Sequence, residues 1–426
     1  MIRRSAQKIF PRRIRVFPAE EVTSRAEDEV AAREVGMRDE DIAAIWRSVT
    51  SLYRVGLHPA MALCVRVRGK VVIDRVIGHS RGNDPRQFDT AGLKRATLQT
   101  PFNLFSASKA VTAVLTLMVI ERGLLGLDDK VSDWIPEFGR NGKEKVTVRH
   151  ILTHRAGIPW IPGDSIDLDA LGDNKQVMNL ICDLKPISNP GQEAAYHALS
   201  GGFVLGELIR LATGRTIETM LYEEVRKPLG FCNFGFGVPR PRLSQVAMES
   251  FTGPDPPRAL NRMLKRALGM EMQGLVDLAN DERFLLSVVP AGNVVGTARE
   301  ANTFFEMLRM GGAFQGTRIL SPETVAMAVN RQRSRHEFDR IIKLPIRYGL
   351  GFMLGSEHLS FYGRSTKRAF GHLGFTNVLV WADPEREMSV AFLNSGKPFV
   401  TPEVLLWLNV MRVISGRVPK SGRSRN

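Results

Sequence analysis

The sequence predicts an α+β fold in which one antiparallel sheet is built from both ends of the chain and a mainly helical domain is inserted between them. Three observations support this prediction. Strand-like runs rich in β-branched residues occur at 61–78, the pattern of 106–285 is mainly helical, and strand character returns at 348–393. The expected divisions are a basic arm at 1–38, a discontinuous sheet domain at 39–105 and 286–416, a mainly helical domain at 106–285 and a basic tail at 417–426.

The first elements follow from local patterns. Residues 1–36 are polar and rich in charge, which predicts an irregular arm. Apolar residues at helical spacing after an acidic start predict a helix at 39–54. Two runs rich in β-branched residues, Met61–Val67 and Val71–Gly78, flank a short glycine turn and therefore predict a β-hairpin. Residues 80–101 are expected to form a loop that leads to the next helix.

The most informative stretch is the apolar segment that begins near Ser106 and ends before Gly123. It is apolar on nearly every face, which predicts a buried helix with Gly123 as its C-terminal cap. Lys109 follows Ser106 by three residues and shares its helical face. A serine hydroxyl needs an adjacent base to act as a nucleophile, and a buried lysine can lose its proton and serve as that base. The helix N-terminus would add backbone N–H donors beside a developing oxyanion.

The Ser-x-x-Lys pattern is weak on its own. A second copy occurs at Ser5 and Lys8, in an arginine-rich segment that no apolar helix follows. From this pattern alone, an ordinary helix cap at Ser106 beside a solvated Lys109 stays open as an alternative. The rest of the chain has to decide between the two.

The remaining elements mix short helices, loops and strands. His150 and His154, in a short helix closed by glycine and proline, have the i, i+4 spacing of a metal-binding pair. No third ligand stands near them in sequence, so a structural role is favoured, and neither a metal nor a cofactor is predicted.

The proline-rich segment 235–284 is predicted to be a variable insertion and a candidate lid. Further helices are predicted at 196–211, 298–312 and 402–414, and strands at 348–354, 369–372, 377–382 and 388–393.

Composition narrows the class of protein. The formal net charge is +15, and the segments 1–16 and 412–426 together contain eleven Lys and Arg residues and no acid. Solvated ends are the favoured explanation, with peripheral contact to a membrane as the alternative, and the body of the chain has no nucleic-acid-binding motif. The three cysteines fit buried side chains in a reducing compartment. With neither an export signal nor a long apolar span, the sequence predicts a cytoplasmic protein.

Several further stretches follow the Ser106 motif in a characteristic order. They are Val146–Pro159, Pro190-Gly191 leading to Tyr196, Glu224–Gly230, Ala291–Asn293, Gly296–Arg299 and Gly371–Gly374. This order resembles the serine β-lactamase-like family, which contains class C β-lactamases, DD-peptidases and family VIII carboxylesterases. The resemblance spans most of the chain, from residue 40 to residue 415. It implies that the predicted fold is of the β-lactamase/transpeptidase type.

The resemblance also implies roles for individual residues. Ser106 matches the acylated nucleophile, Lys109 its base, and Tyr196 the tyrosine that moves a proton between nucleophile and leaving group. A phenol beside an ammonium can ionise below its usual range, which would suit Tyr196 to that task. His372 and Gly374 stand in the third motif, on the strand that lines the family's site. The implied oxyanion hole consists of the backbone N–H groups of Ser106 and Phe375.

Three departures from the family pattern point to the substrate. His372 and Leu373 replace the Lys-Thr pair that holds the carboxylate of a β-lactam, and Ala198 replaces an asparagine of the second motif. Losing these polar contacts should weaken β-lactam binding by at least about two orders of magnitude. A neutral ester needs only the nucleophile, the base and the oxyanion hole.

These observations predict a serine hydrolase that cleaves small carboxylic esters through an acyl-enzyme on Ser106. A β-lactamase or DD-peptidase and an acyltransferase of the same family are the enzymatic alternatives. A catalytically inactive binding protein is the alternative from another class, and the presence of Ser106, Lys109 and Tyr196 argues against it. The expected partner is a small-molecule ester, and nucleic acid is not expected.

Overall fold

The main sheet is antiparallel and unites strands from both ends of the chain. The computed structural model describes residues 12–161, 171–257, 261, 270–330, 332, 338–358, 360–398 and 402–421. Within these residues the sheet has nine strands, which in chain order are β1 Thr23–Arg25, β2 Ala60–Val67, β3 Lys70–Arg81, β4 Lys94–Arg95, β5 Arg347–Tyr348, β6 Met353–Leu354, β7 Phe370–Leu373, β8 Leu379–Asp383 and β9 Met388–Asn394. Their spatial order is β1-β3-β2-β9-β8-β7-β6-β5, with β4 paired to β3.

The pairing of β2 with β9 joins the amino-terminal hairpin to the carboxyl-terminal strands. It runs from Met61 opposite Asn394 to Val67 opposite Met388. The hairpin β2–β3 lies where the sequence predicts it. The single strand predicted at 348–354 is instead the pair β5 and β6, because the chain turns through Gly351 at a φ of +80°.

The helices surround this sheet. In chain order they are α1 Ala19–Val22, α2 Asp39–Arg54, α3 Ser108–Glu121, α4 Val131–Trp134, α5 Val148–Leu152, α6 Asn174–Asp183, α7 Ser200–Thr213, α8 Ile217–Leu221, α9 Met272–Asn280, α10 Glu282–Leu286, α11 Ala298–Arg309, α12 Pro322–Ala328 and α13 Val404–Arg417. The predicted helices at 39–54, 298–312 and 402–414 correspond to α2, α11 and α13. A small three-stranded sheet pairs Val294–Gly296 with Phe102–Asn103 and with Gly235–Phe236.

Both faces of the main sheet are covered. Side chains alternate along each strand, so Leu63 and Trp381 pack with α2 and α13, whereas Cys64 and Val380 face the core that contains α3 and α11. This second core extends through α7 into the helical region. The burial of both faces explains why the central strands are apolar at nearly every position.

Helix α3 lies in the middle of the larger core. Every residue from Ser108 to Val119 is buried, which agrees with the apolar pattern of this stretch. Arg122 caps the helix, and Gly123 follows it at a φ of +69°. Gly351 packs so closely on α3 that a Cβ atom there would lie 2.1 Å from the Cβ of Ala113. The helix is therefore fixed against the β5–β6 turn as well as inside the core.

The predicted irregular arm is only partly correct. Thr23–Arg25 forms an edge strand of the main sheet, with Thr23 opposite Ile77. The following residue, Ala26, donates its N–H to the Asp74 carbonyl. Three residues are too few for a periodic pattern to appear, so this strand cannot be predicted from the sequence. Residues 1–11 lie outside the described residues.

The start of the predicted basic tail is paired with acids. Arg417 Nη1 lies 3.2 Å from Asp41 Oδ1, and Lys420 Nζ lies 2.8 Å from Glu385 Oε2, so both side chains contact the fold. Residues 422–426 lie outside the described residues. Within the described chain, no helix is both long enough and apolar enough to cross a membrane.

The segment 235–284 is docked on the sheet region in its described part. The Ser250 N–H donates a hydrogen bond to the Ser395 carbonyl. The Ser250 carbonyl accepts a hydrogen bond from the backbone N–H of Lys397, which follows β9. Phe251, with Met272 of α9, forms a small apolar cluster against Phe375. Residues 258–260 and 262–269 lie outside the described residues, and the role of this segment as a lid stays a prediction.

The cysteine prediction is correct for two positions. Cys64 and Cys182 are buried, as expected for small apolar side chains. Cys232 is exposed, so the prediction that it is buried is wrong. It lies just before the short strand at Gly235–Phe236, where its backbone N–H is held by the Glu300 carboxylate and its side chain faces outward.

Candidate active site

The nucleophile predicted from sequence lies in a tight turn at the start of α3. Ser106 is the middle residue of a 3₁₀ turn, Phe105–Ala107, and it is only partly buried although its neighbours on both sides are buried. Phe105 adopts a left-handed φ of +49°, which is strained for a residue with a side chain. The Asn103 side chain accepts the Phe105 N–H at 2.9 Å and holds this conformation. The turn thus presents one accessible hydroxyl from an otherwise closed core.

Lys109 is placed to act as the base. Its Nζ lies 3.1 Å from Ser106 Oγ, and it donates hydrogen bonds to the carbonyls of Ala198 at 2.8 Å and Ala291 at 3.0 Å. Burial lowers the pKa of Lys109 to about 7. A neutral amine has two N–H donors and one lone pair, and the two carbonyls can only accept. The lone pair is therefore left for the Ser106 hydroxyl.

Tyr196 reaches the same point from the segment that precedes α7. Lys109 Nζ lies 4.9 Å from the centre of the Tyr196 ring. Burial raises the pKa of Tyr196 above its ordinary value, and the nearby Ser106 side chain opposes this only in part. The expectation that Tyr196 ionises readily is therefore wrong for this structure. With Lys109 uncharged, little cationic charge offsets the desolvation of a phenolate.

Buried imidazoles surround these three residues. Burial lowers the pKa of His197 and of His372 to about 3 and that of His154 well below its usual value, so all three are neutral at pH 7. The His154 ring lies 4.7 Å from the Tyr196 ring, and its Nδ1 accepts the His197 N–H at 3.1 Å. His150, the other member of the i, i+4 pair, accepts the Thr147 N–H at its Nδ1. Both histidines of that pair therefore serve the backbone, as the structural interpretation expects.

The third motif lies on β7 and in the turn after it. His372 Nδ1 lies 2.8 Å from the Leu373 carbonyl; because a carbonyl only accepts, Nδ1 carries the proton and Nε2 keeps a lone pair. Gly374 lies so close to the start of the Phe105–Ala107 turn that a Cβ atom on Gly374 would lie 2.5 Å from the Leu104 carbonyl oxygen. The rings of Phe375 and Phe105 are 5.6 Å apart. The structure thus brings the third motif against the turn that carries Ser106.

Two features of the site have no sequence signal. Lys109 is held by the backbone carbonyls of Ala198 and Ala291, and any residue type supplies a carbonyl. Lys397 and Glu249 form a buried ion pair behind the nucleophile turn, although they lie far apart in sequence. The sequence hints that Lys397 is buried only through the apolar run of β9 that precedes it.

A comparison with protein families decides the identity of the chain. The sequence model of the Beta-lactamase family matches residues 49–413. The chain belongs to the β-lactamase family. The resemblance inferred from the ordered motifs is confirmed.

Two curated proteins and one solved structure are similar to this chain. The chain is 27% identical over 388 residues to the Esterase/beta-lactamase LipL of Mycobacterium tuberculosis, covering 88% of this chain and 86% of that protein. It is 27% identical over 253 residues to Esterase EstB of Burkholderia gladioli, covering 55% of this chain and 62% of that protein. The solved structure of a family VIII carboxylesterase superposes with a TM-score of 0.74 at 23% identity, covering 88% of this chain and 97% of that one. The predicted fold class is confirmed.

Proposed function

We propose that this member of the β-lactamase family is a serine carboxylesterase that cleaves small esters through an acyl-enzyme on Ser106. The observation that carries the proposal is the 3.1 Å contact between Ser106 Oγ and Lys109 Nζ, in which two backbone carbonyls direct the lysine lone pair at the hydroxyl. The esterase names of two relatives support the same activity.

Acylation follows from the positions of three side chains. Lys109 takes the proton of Ser106 as Oγ attacks the ester carbonyl, and the backbone N–H groups of Ser106 and Phe375 stabilise the negative oxygen that forms. Tyr196 gives its proton to the departing alkoxide, so an alcohol leaves. The Lys109 ammonium then returns a proton to Tyr196. The acyl group stays on Oγ, and Lys109 is again neutral.

Deacylation repeats these steps with water. A water molecule attacks the acyl carbon and gives its proton to the neutral Lys109. The bond to Oγ breaks, Oγ recovers a proton from the lysine, and a carboxylic acid leaves. The same base thus serves both halves of the reaction, and the enzyme returns to its starting state.

The third motif favours a neutral substrate. His372 is neutral because burial lowers its pKa to about 3, and Leu373 carries no hydroxyl. Neither side chain can attract the carboxylate of a β-lactam as a Lys-Thr pair would. A small ester without a negative charge has no need of such a contact.

Hydrolysis of p-nitrophenyl acetate, butyrate and longer esters tests the proposal. The wild type should turn over at least one of them, and Ser106→Ala should lose this activity by about three orders of magnitude or more. Labelling by a fluorophosphonate should occur in the wild type and be absent in Ser106→Ala. An undiminished rate in Ser106→Ala would refute the proposal.

β-Lactam hydrolysis is the second candidate, because one relative is named both an esterase and a β-lactamase. Saturable turnover of nitrocefin that exceeds ester turnover, and that depends on Ser106, would favour it. We expect ester turnover to exceed nitrocefin turnover, because the His372 and Leu373 positions lack the charge and hydroxyl that a carboxylate needs.

A further inference from the structure

An ion pair is buried behind the nucleophile turn, and the ester mechanism does not use it. Glu249 is 1% exposed and Lys397 is 0% exposed, and Lys397 Nζ lies 3.0 Å from Glu249 Oε2. Glu249 belongs to the segment 235–284, and Lys397 follows β9. Burying two charges is costly unless their geometry is good and their remaining donors find partners. Lys397 Nζ also donates to the Asn394 carbonyl at 2.8 Å.

The ion pair contacts the residue that precedes the nucleophile. Lys397 Nζ lies 4.8 Å from the centre of the Phe105 ring, which is within the range of a cation–π interaction. Phe105 holds the strained φ of +49° and is followed directly by Ser106. A strained conformation persists only where its surroundings fix it. The ammonium on one side of Phe105 and the Asn103 side chain at its backbone provide that restraint.

We propose that the Glu249–Lys397 ion pair positions the nucleophile: its ammonium holds the Phe105 ring and, through Phe105, the turn that presents Ser106. The two residues are positioning residues, because neither reaches the reacting atoms. The inference rests on the proposed esterase function. It also gives the segment 235–284 a role, since that segment supplies the carboxylate that keeps Lys397 charged.

The two charges depend on each other. Burial lowers the pKa of Lys397, and attraction to Glu249 opposes this shift. Burial raises the pKa of Glu249 to about 7, and Lys397 opposes that shift in turn. Among the described residues, His58 also responds to this charge: burial and the charge of Lys397 lower its pKa to about 3, so it is neutral at pH 7. Removing Glu249 should therefore lower the pKa of Lys397 further and weaken the positive charge beside Phe105, although Lys397 itself is retained.

The test compares variants by the rate at which a fluorophosphonate labels Ser106 and by the pre-steady-state acylation rate with a p-nitrophenyl ester. Lys397→Met should slow both rates by about tenfold with a nearly unchanged KM, because a small displacement of the nucleophile lowers the rate of attack. Glu249→Gln should do the same, although it does not touch Phe105. In a Phe105→Leu background, Lys397→Met should have no further effect.

A matched control separates positioning from general stability. Lys143 is also fully buried, and its Nζ lies 5.5 Å from the ring of Phe138, in the helical region. Lys143→Met should lower the melting temperature and leave the labelling rate of the folded protein unchanged. If a single variant fails to fold, the double variant Glu249→Leu/Lys397→Met removes both charges together, a change that buried pairs often tolerate.

The outcomes distinguish this inference from the proposed function. Unchanged labelling and acylation rates in folded Lys397→Met or in the double variant would overturn the positioning role. Additive effects of Lys397→Met and Phe105→Leu would overturn the route through Phe105. A wild type that labels at Ser106 but cleaves no ester would refute the proposed function, and the labelling rates would still test the ion pair.

Discussion

The carbonyl oxygen of Ala198 accepts a hydrogen bond from Lys109 Nζ at 2.8 Å. The methyl side chain of alanine cannot accept a hydrogen bond. The backbone carbonyl therefore holds the lysine, as a polar side chain could have done. A carbonyl only accepts, and it therefore directs the lone pair of the neutral amine away from itself. The position of Lys109 Nζ therefore does not depend on the side chain at position 198.

Lys109→Met should abolish acylation of Ser106. We expect the ester rate to fall by about two to four orders of magnitude, because the base is lost. Lys109→Arg should be similarly inactive, since a guanidinium stays protonated. Rates with p-nitrophenyl butyrate and fluorophosphonate labelling measure the effect, with Lys143→Met as the control for a lost buried lysine. Retained labelling in Lys109→Arg would contradict the role of Lys109 as a base.

Activity should rise with pH through the titration of Lys109. Burial lowers the pKa of this lysine to about 7, and only the neutral amine can accept the Ser106 proton. A plot of kcat/KM against pH should therefore increase to a plateau above an apparent pKa near 7. An activity that falls as pH rises from 6 to 8 would contradict this assignment.

The free energy of unfolding should also depend on the titration of Lys109. The pKa of Lys109 is lower in the folded state than the ordinary value of 10.5. Between pH 7 and 10 the unfolded chain therefore binds more protons at this site, and folding gains up to about 1.4 kcal/mol per pH unit from it. Urea unfolding of the wild type and Lys109→Met should show the wild type gaining relative stability over this range. Parallel curves would contradict the shift.

Tyr196→Phe should slow the reaction without unfolding the protein. The phenol is buried and protonated, so its replacement removes a proton donor and keeps the ring against His154. We expect kcat to fall by about two orders of magnitude and the melting temperature to change little. Esters with better leaving groups need less proton donation and should be less affected. An equal loss for all leaving groups would assign Tyr196 a structural role instead.

Gly351→Ala should destabilise the fold more than Gly123→Ala. Both glycines have positive φ, but a Cβ at Gly351 would lie 2.1 Å from that of Ala113, whereas nothing lies within 4 Å of one at Gly123. The extra cost of the clash should be about 1–3 kcal/mol. Denaturant unfolding of both variants measures it, and equal losses would show that the turn can move away from α3.

Much of the fold was predictable because its signals are local. The periodicity of α2, the hairpin β2–β3 and the apolar run of α3 each lie within one short stretch, so pattern alone located them. The convergence of Ser106, Lys109 and Tyr196 was expected only from the order of motifs along the chain. The assignment of catalytic roles to these residues and the domain boundaries stay predictions.

The rest of the site depends on contacts between distant parts of the chain. The raised pKa of Tyr196 follows from burial, which a sequence pattern does not quantify. The carbonyls that hold Lys109 belong to Ala198 and Ala291, and the identity of these side chains does not indicate that their backbone oxygens accept hydrogen bonds from a lysine. The edge strand β1 was missed because three residues carry too little periodicity. Non-local packing, rather than residue type, decided each of these features.

The pairing of β2 with β9 has a consequence for synthesis of the protein. Met61 finds its partner Asn394 only after more than three hundred further residues have been added. Until then the emerging hairpin exposes one unpaired edge, which is open to association with other chains. Because Lys397 follows β9, the proposed contact between Lys397 and the Phe105 ring also forms only after these late residues have been added. A prematurely terminated product would therefore be both inactive and prone to aggregate.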